Sequence, residues 1–243
     1  MNEFVQAISF PTLVWAFVPV AVVVGVLMRW TSAARTAVYA IARMLIQLLL
    51  IGYVLVYIFE ADKAWVIVLV LTVMLIAASV IAIRPIRSKG PKVLRNAFVA
   101  ILIGGVLTLA LVTQLVIAVE PWFLPRYVVP LAGMVFASSM NAVSLAAERL
   151  ETELARSVGF AEARASALNT CLIPLINSLF AVGLVSLPGM MTGQILSGVS
   201  PFVAAKYQIV VMCMIFGASG ISAAIYLSLA QHQHCFRPKY PVA

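Results

Sequence analysis

At 243 residues, 64% apolar and only 10% charged, the chain lacks the polar surface of a water-soluble globule, in which about a quarter of residues are charged. Its net charge of +8 comes without interleaved aromatics or a polar domain to carry a basic patch, which excludes a nucleic-acid binder. The mean hydropathy of +1.10 points to an integral membrane protein. One crossing takes about 20 apolar residues, so the chain has room for about seven.

In chain order, the opening "MNEFVQAISF" lacks the basic stretch of a secretory leader, so the first apolar run, 9–28, is expected to stay as a helix. A second run covers 36–59, with Arg43 about two turns in and Gln47 one turn later. An arginine at that depth costs about 2.5 kcal/mol or more unless it snorkels or finds a partner. Snorkelling is one reading; the other is a helix-pinning or pathway role with Asn141, Gln114 or a helix-end carbonyl. Further runs at 64–84 and 96–119 lead to Glu120, either a solvated interfacial carboxylate or a lure for cations at the outer mouth. "EADK" and "EPWFLPRY" are short connections, and Trp122, Phe123 and Tyr127 suit the headgroup belt.

The fifth run, 128–148, places Met140, Asn141 and Ser144 on one helical stripe. With Ser138, Asn177, Gln194 and Gln208 they form interhelical hydrogen bonds, worth about 0.6 kcal/mol each, or a weak ion path of amides, carbonyls and sulfur. No Asp or Glu lies deep in any run, so a midplane cation site would be poor in charge and suited to brief passage. The segment of about 148–168, "ERLETELARSVGFAEARASAL", repeats Leu150, Leu154, Val158 and Ala161 at helical spacing. The fifth helix is expected to continue beyond the membrane, to be capped by Gly159 in a left-handed conformation, and to return through a second short helix. That amphipathic element either lies on lipid or docks a partner.

A sixth run, 167–187, and a seventh, 202–230, flank "SLPGMMTGQILSGVSP", about residues 186–201. Pro188 and three glycines oppose a continuous helix there. Broken backbone at membrane depth needs protein or a water-filled cavity around it, so the segment reads as a re-entrant half-helix at a pathway mouth, with a plain surface turn as the alternative. Met190 and Met191 are packing filler or, for an ion harder than Cu(I), a gate rather than ligands, because thioethers suit softer ions. The tail holds His232, His234 and Cys235, metal-capable donors or simply a loose end. Three cysteines are an odd number, with Cys171 and Cys213 inside spans, so no disulfide framework is implied.

Basic residues alternate between the connections. Arg29 and Arg35, the stretch 84–95, Arg149 with Arg156 and Arg164, and the tail carry 12 of the 16; Lys63, Arg126 and Lys206 stand opposite. By the positive-inside tendency the N-terminus is expected outside and the C-terminus in the cytoplasm, with anionic lipid attracted to the inner loops. The whole of 1–243 is expected to be one transmembrane domain, an all-α polytopic protein.

Glu153, Ala155 and Gly159 keep the spacing of the EAA-x3-G motif in the cytoplasmic loop of ABC-transporter permeases, with Leu154 in place of an alanine and Pro174 about two residues late. "GMVFASSMNAVSLAAERL" (133–150) and "VGLVSLPGMMTGQILSGVSPFVAAKYQIVVM" (182–212) resemble the signature segments of the FetB (YbbM) family of bacterial permeases, whose plant relatives take part in aluminium tolerance. "ARMLIQLLLIGYVL" and "FLPRYVVPLAGM" support the likeness, while Ala137 and Ser138 stand where relatives often carry Gly-Asn.

The resemblance implies the inner-membrane subunit of a bacterial ABC transporter linked to iron export and oxidative-stress resistance. A separate cytoplasmic ATPase would bind ATP and Mg and dock on Glu153, Leu154, Ala155, Gly159 and Phe160. No cofactor is expected on this chain, which lacks G-x-x-x-x-G-K-[ST] and any catalytic grouping. With one coupling loop per chain, a homodimer is expected, moving a metal ion past Met140, Asn141, Ser144, Met190, Met191 and Gln194. The rivals are a proton-coupled transporter, disfavoured by the missing deep titratable group, and a membrane scaffold that recruits an ATPase without transport.

Overall fold

Apolar runs too long for a soluble core become long helices, and the computed structural model describes them over residues 10–60, 63–86 and 90–235. The chain is 85% helical, with no strand among the described residues. Six helices there are long and apolar enough to cross a membrane. Contacts divide the chain into two units, residues 1–61 and 62–243.

The first unit is a helical hairpin. Phe10–Leu13 and a 3-10 turn, Val14–Phe17, lead into α1 (Val18–Trp30), and α2 runs Ala34–Phe59. The connection is tied by Thr31, whose hydroxyl donates to the Leu27 carbonyl at 3.1 Å and accepts from the Ala33 N–H at 3.2 Å. Val22, Ile46, Leu48 and Leu49 stand exposed, a surface suited to hydrocarbon.

The second unit holds α3 (Ala64–Ala82), α4 (Pro91–Val116), α5 (Pro125–Ala155), α6 (Phe160–Ala181), α7 (Gly189–Leu196) and α8 (Pro201–Cys235). α5 is central and packs against α8, α6 and α3. Its interior face alternates bulky and small residues, Leu131, Val135, Phe136 and Val143 with Ala132, Ala142 and Ala146, and so admits close neighbours. With 31 residues α5 extends about 46 Å, against ~30 Å of hydrocarbon, and overshoots by about three turns.

α4 is not a regular α-helix: π turns occupy Leu102–Val106 and Val112–Val116. The first contains Gly104 and Gly105, which let neighbouring helices approach. α6 corresponds to the sixth run expected from the sequence and is not among the six helices long and apolar enough to cross; it begins at Phe160 with Glu162 and Arg164 in its first turns and ends at Ala181. The expected run to 187 is cut short because Gly183 takes φ +83° and the chain turns back, with the Val185 and Ser186 N–H groups both donating to the Ala181 carbonyl.

Candidate functional site

The overshoot of α5 meets α6 in an elbow. Leu150 is buried and Leu154 and Val158 are half-buried, packed with Ala163, Ala167 and Cys171 of α6 and Leu227 of α8. Leu150, Leu154 and Val158 of the apolar stripe therefore pack within the protein, while Ala161 stands exposed. The returning helix is not a short separate piece, because α6 continues straight into the sixth apolar run.

The cap is also not where the sequence suggested. Ser157 carries the positive φ, +63°, its N–H donating to the Leu154 carbonyl at 3.0 Å while the Val158 N–H reaches the Glu153 carbonyl at 3.2 Å. This pair of bonds is a Schellman cap with serine in the position glycine usually takes. Gly159, expected to be left-handed, has φ −60° and ψ 143° and is the residue from which α6 starts. A Cβ there would meet nothing within 4 Å. Neither backbone conformation nor crowding within the chain requires glycine at this position.

Of the residues expected to dock a partner, Ala155 and Gly159 are exposed, Leu154 and Phe160 are half-buried, and Glu153 turns inward at 8% exposure. The Glu153 carboxylate pairs with Arg149 at 2.6 Å and accepts from the Ser166 hydroxyl at 3.5 Å, while Arg149 Nε donates to Ser166 Oγ at 3.2 Å. A second tie, Arg164 Nη1 to Gln231 Oε1 at 3.2 Å, joins α6 to α8. The elbow is thus braced internally. Glu153→Gln is expected to lower stability by about 1–2 kcal/mol, the low end because Arg149 is partly exposed, and a double-mutant cycle with Arg149→Met is expected to recover most of it as coupling. Thermal unfolding in detergent checks this.

Deeper in the second unit several helical hydroxyls bond back along their own helix, and three buried ones do not. Ser79, Thr108, Thr113, Ser178 and Ser228 each donate to the carbonyl four residues back. Ser139, Ser219 and Ser222 are fully buried and make no such bond; their hydroxyls have no partner. Ser139 and Ser219 each lie about one turn before the cluster that joins Ala142 and Ala146 of α5 to Ala223 and Leu227 of α8. At this level α4 closes in: a Cβ on Gly104 would collide with Ser222 Oγ and stand 2.7 Å from the Ser222 backbone nitrogen, and one on Gly105 would stand 3.2 Å from the Phe136 ring. We call this junction of α4, α5 and α8 the hydroxyl seam. Sequence reasoning missed it, although "IGGV" and the i,i+3 serines of "SGIS" are its trace.

The expected pathway residues are distributed around this junction rather than gathered in it. On α5, Asn141 is exposed on the side the unit leaves uncovered; Met140 and Ser144 are half-buried, and Ser139, the neighbour not singled out, faces the interior. The "SLPGMMTGQILSG" segment is a broken element as expected: α7 starts at Gly189, with Pro188 extended as its N-cap, and ends in a second Schellman cap with Gly198 at φ +92°. Met190 packs against the main core, Met191 is half-buried, and Gln194 and Gln208 each bury an unpartnered amide oxygen.

In the first unit, Arg43 finds its partner on its own helix. With the Gln47 carboxamide oxygen turned toward it, Arg43 donates from Nε and Nη2 at 3.2 and 3.3 Å. Glu120 is exposed, beside the edge-on pair of Trp122 and Phe123. The side chains of His232, His234 and Cys235 lie outside the described residues. Among the described residues, no three His, Cys, Asp or Glu side chains converge as a metal group.

Comparison with known proteins extends the likeness beyond the two signature stretches. The family model described as "Uncharacterised protein family (UPF0014)" matches residues 10–236. The chain belongs to the UPF0014 family. It is 33% identical over 227 residues to the UPF0014 membrane protein slr1647 of Synechocystis, covering 86% of this chain and 87% of that one. The probable iron export permease protein FetB of Escherichia coli is 35% identical over 207 residues, 79% of this chain and 78% of its own. The protein ALUMINUM SENSITIVE 3 of Arabidopsis thaliana is 32% identical over 225 residues, 84% of this chain and 80% of its own. No solved structure matches. This UPF0014 chain is a multi-pass membrane protein, and the elbow and the seam both lie within the matched span.

Proposed function

We propose that this chain is the permease subunit of an ATP-driven transporter that exports iron or a related metal ion across the bacterial inner membrane, with ATP and Mg on a separate cytoplasmic ATPase. The observation that carries this reading is the elbow: exposed Ala155 and Gly159 at its tip, stiff ties at its base, and open space where a glycine is not locally needed. The names borne by FetB and by the plant relative support the permease role and a metal cargo.

A push on residues 155–160 moves α5 and α6 together because Arg149, Glu153 and Ser166 join them. α5 carries that motion to the hydroxyl seam, whose unpartnered serines are costly in the closed packing and gain partners when water enters. The cargo passes amide, hydroxyl and carbonyl oxygens without a deep carboxylate to hold it, which suits transit over storage. A carrier that offers one elbow needs a second copy to engage a pair of ATPases, so the working unit is a homodimer.

The test uses Gly159→Cys in a variant otherwise free of cysteine. Membrane-impermeant thiol reagents are expected to label it only from the cytoplasmic face, and a short crosslinker to trap the ATPase. Labelling only from the outer face sinks the proposal.

A further inference from the structure

Between α3 and α4 the second unit holds an open groove of about 330 Å³, lined by Ile76, Val80, Pro91, Leu94 and Phe98, with Arg95 at its edge. Its wall is apolar even at Ser79, because that hydroxyl is buried and donates to the Leu75 carbonyl at 2.8 Å. α3 ends at Ala82 and α4 begins at Pro91, so the groove occupies the last turns of one spanning helix and the first turns of the next. That is the depth at which headgroup gives way to hydrocarbon.

Arg95 is the charged residue that lines the groove, with Lys92 beside Pro91 and Arg84 just past the end of α3, while the carboxylates Glu148 and Glu151 of α5 line a second pocket with Pro85. Among the described residues Arg84, Lys92 and Arg95 have no ion-pair partner. An apolar slot between spanning helices, with unpaired cations at its lip, complements an acyl chain joined to an anionic phosphate.

We infer that the α3–α4 groove is a specific site for an anionic phospholipid, one acyl chain lying along Ile76, Val80 and Phe98 and the phosphate held by Arg95 with Lys92 or Arg84. The inference requires only that the chain spans a membrane, and stands apart from any ATPase partner or cargo. Arginine at the lip supplies a fork that two phosphate oxygens can share, which a lysine cannot match.

The test is lipid retention by the purified full chain, measured by native mass spectrometry with phosphatidylglycerol and phosphatidylcholine of identical chains. Wild type is expected to hold phosphatidylglycerol preferentially. Arg95→Gln is expected to weaken this about fivefold, the effect of one interfacial cation. Val80→Phe, which fills the slot and keeps every charge, is expected to weaken it as well, while Arg126→Gln at the other end of the unit leaves it unchanged. Monodisperse elution and unaltered helicity report on folding for each variant. Equal retention of the two lipids by wild type would overturn the site; so would undiminished binding by Val80→Phe, or stabilisation by inorganic phosphate equal to that by the lipid.

Discussion

Gly104→Val is expected to leave little folded protein, the most severe outcome of any substitution considered. The atom facing Gly104 most rigidly is the Ser222 backbone nitrogen, 2.7 Å from where a Cβ would sit, so a side chain cannot be accommodated by rotating a neighbour. α4 or α8 has to move, in a region where Leu109, Val135, Phe136, Met214 and Ala218 share one packed core. Overpacking of this kind costs about 1–3 kcal/mol for a small insertion, and we expect that range for Gly104→Ala and more for valine. Gly25→Ala, by contrast, meets nothing within 4 Å and gains helix propensity of about 1 kcal/mol. Ser222→Ala removes an unpartnered hydroxyl and is expected to be neutral or stabilising. Melting temperature and yield of monodisperse protein compare the set; a wild-type melting temperature for Gly104→Val would show that the seam is not closed.

Gly159→Trp is expected to separate folding from function. Its Cβ enters open space and its φ of −60° suits any residue, so stability should change by no more than about 0.5 kcal/mol. A bulky indole at the tip of the elbow would nevertheless stand between Ala155 and whatever docks there. Disrupting a central contact costs more than ~1.4 kcal/mol of binding, a tenfold loss, and we expect at least that fall in ATPase affinity and in stimulated hydrolysis. Gly159→Ala should retain most of both. Unimpaired hydrolysis and binding in the tryptophan variant would remove the elbow from the interface.

These two glycines show what could be read in the residues and what could not. The spans were legible because hydrophobic length is a local property: the apolar runs at 36–59 and 64–84 correspond to Ala34–Phe59 and Ala64–Ala82. The elbow was legible for the same reason, since Leu150, Leu154 and Val158 mark one face of a helix that outruns the bilayer. The end of the sixth span was not, because hydropathy does not register the Gly183 turn that folds Leu184 and Val185 back on Ala181.

Side-chain direction was the harder quantity. Glu153 reads as a surface charge, yet Arg149 one turn before it and Ser166 across the elbow draw it inward. Gly159 invited a left-handed cap that Ser157 forms instead, two residues earlier, because the cap position follows from where α5 stops and not from where a glycine stands. On α5 the stripe of Met140, Asn141 and Ser144 stands out for its chemistry, whereas Ser139, the residue just before it, faces the interior. Gly104 and Gly105 gave no hint of their neighbours, since Ser222 and Phe136 lie far away in sequence. Arg43, for which the sequence left open snorkelling or a partner such as Asn141 or Gln114, pairs one helical turn along its own helix with Gln47.

The most direct measurement is metal flux in proteoliposomes that contain this chain with its ATPase. The proposed function predicts ATP-dependent movement of ferrous or a related metal ion away from the elbow side, abolished when the ATPase is omitted and strongly reduced by Gly159→Trp. Flux that runs without nucleotide, or that follows an imposed proton gradient instead, would contradict it.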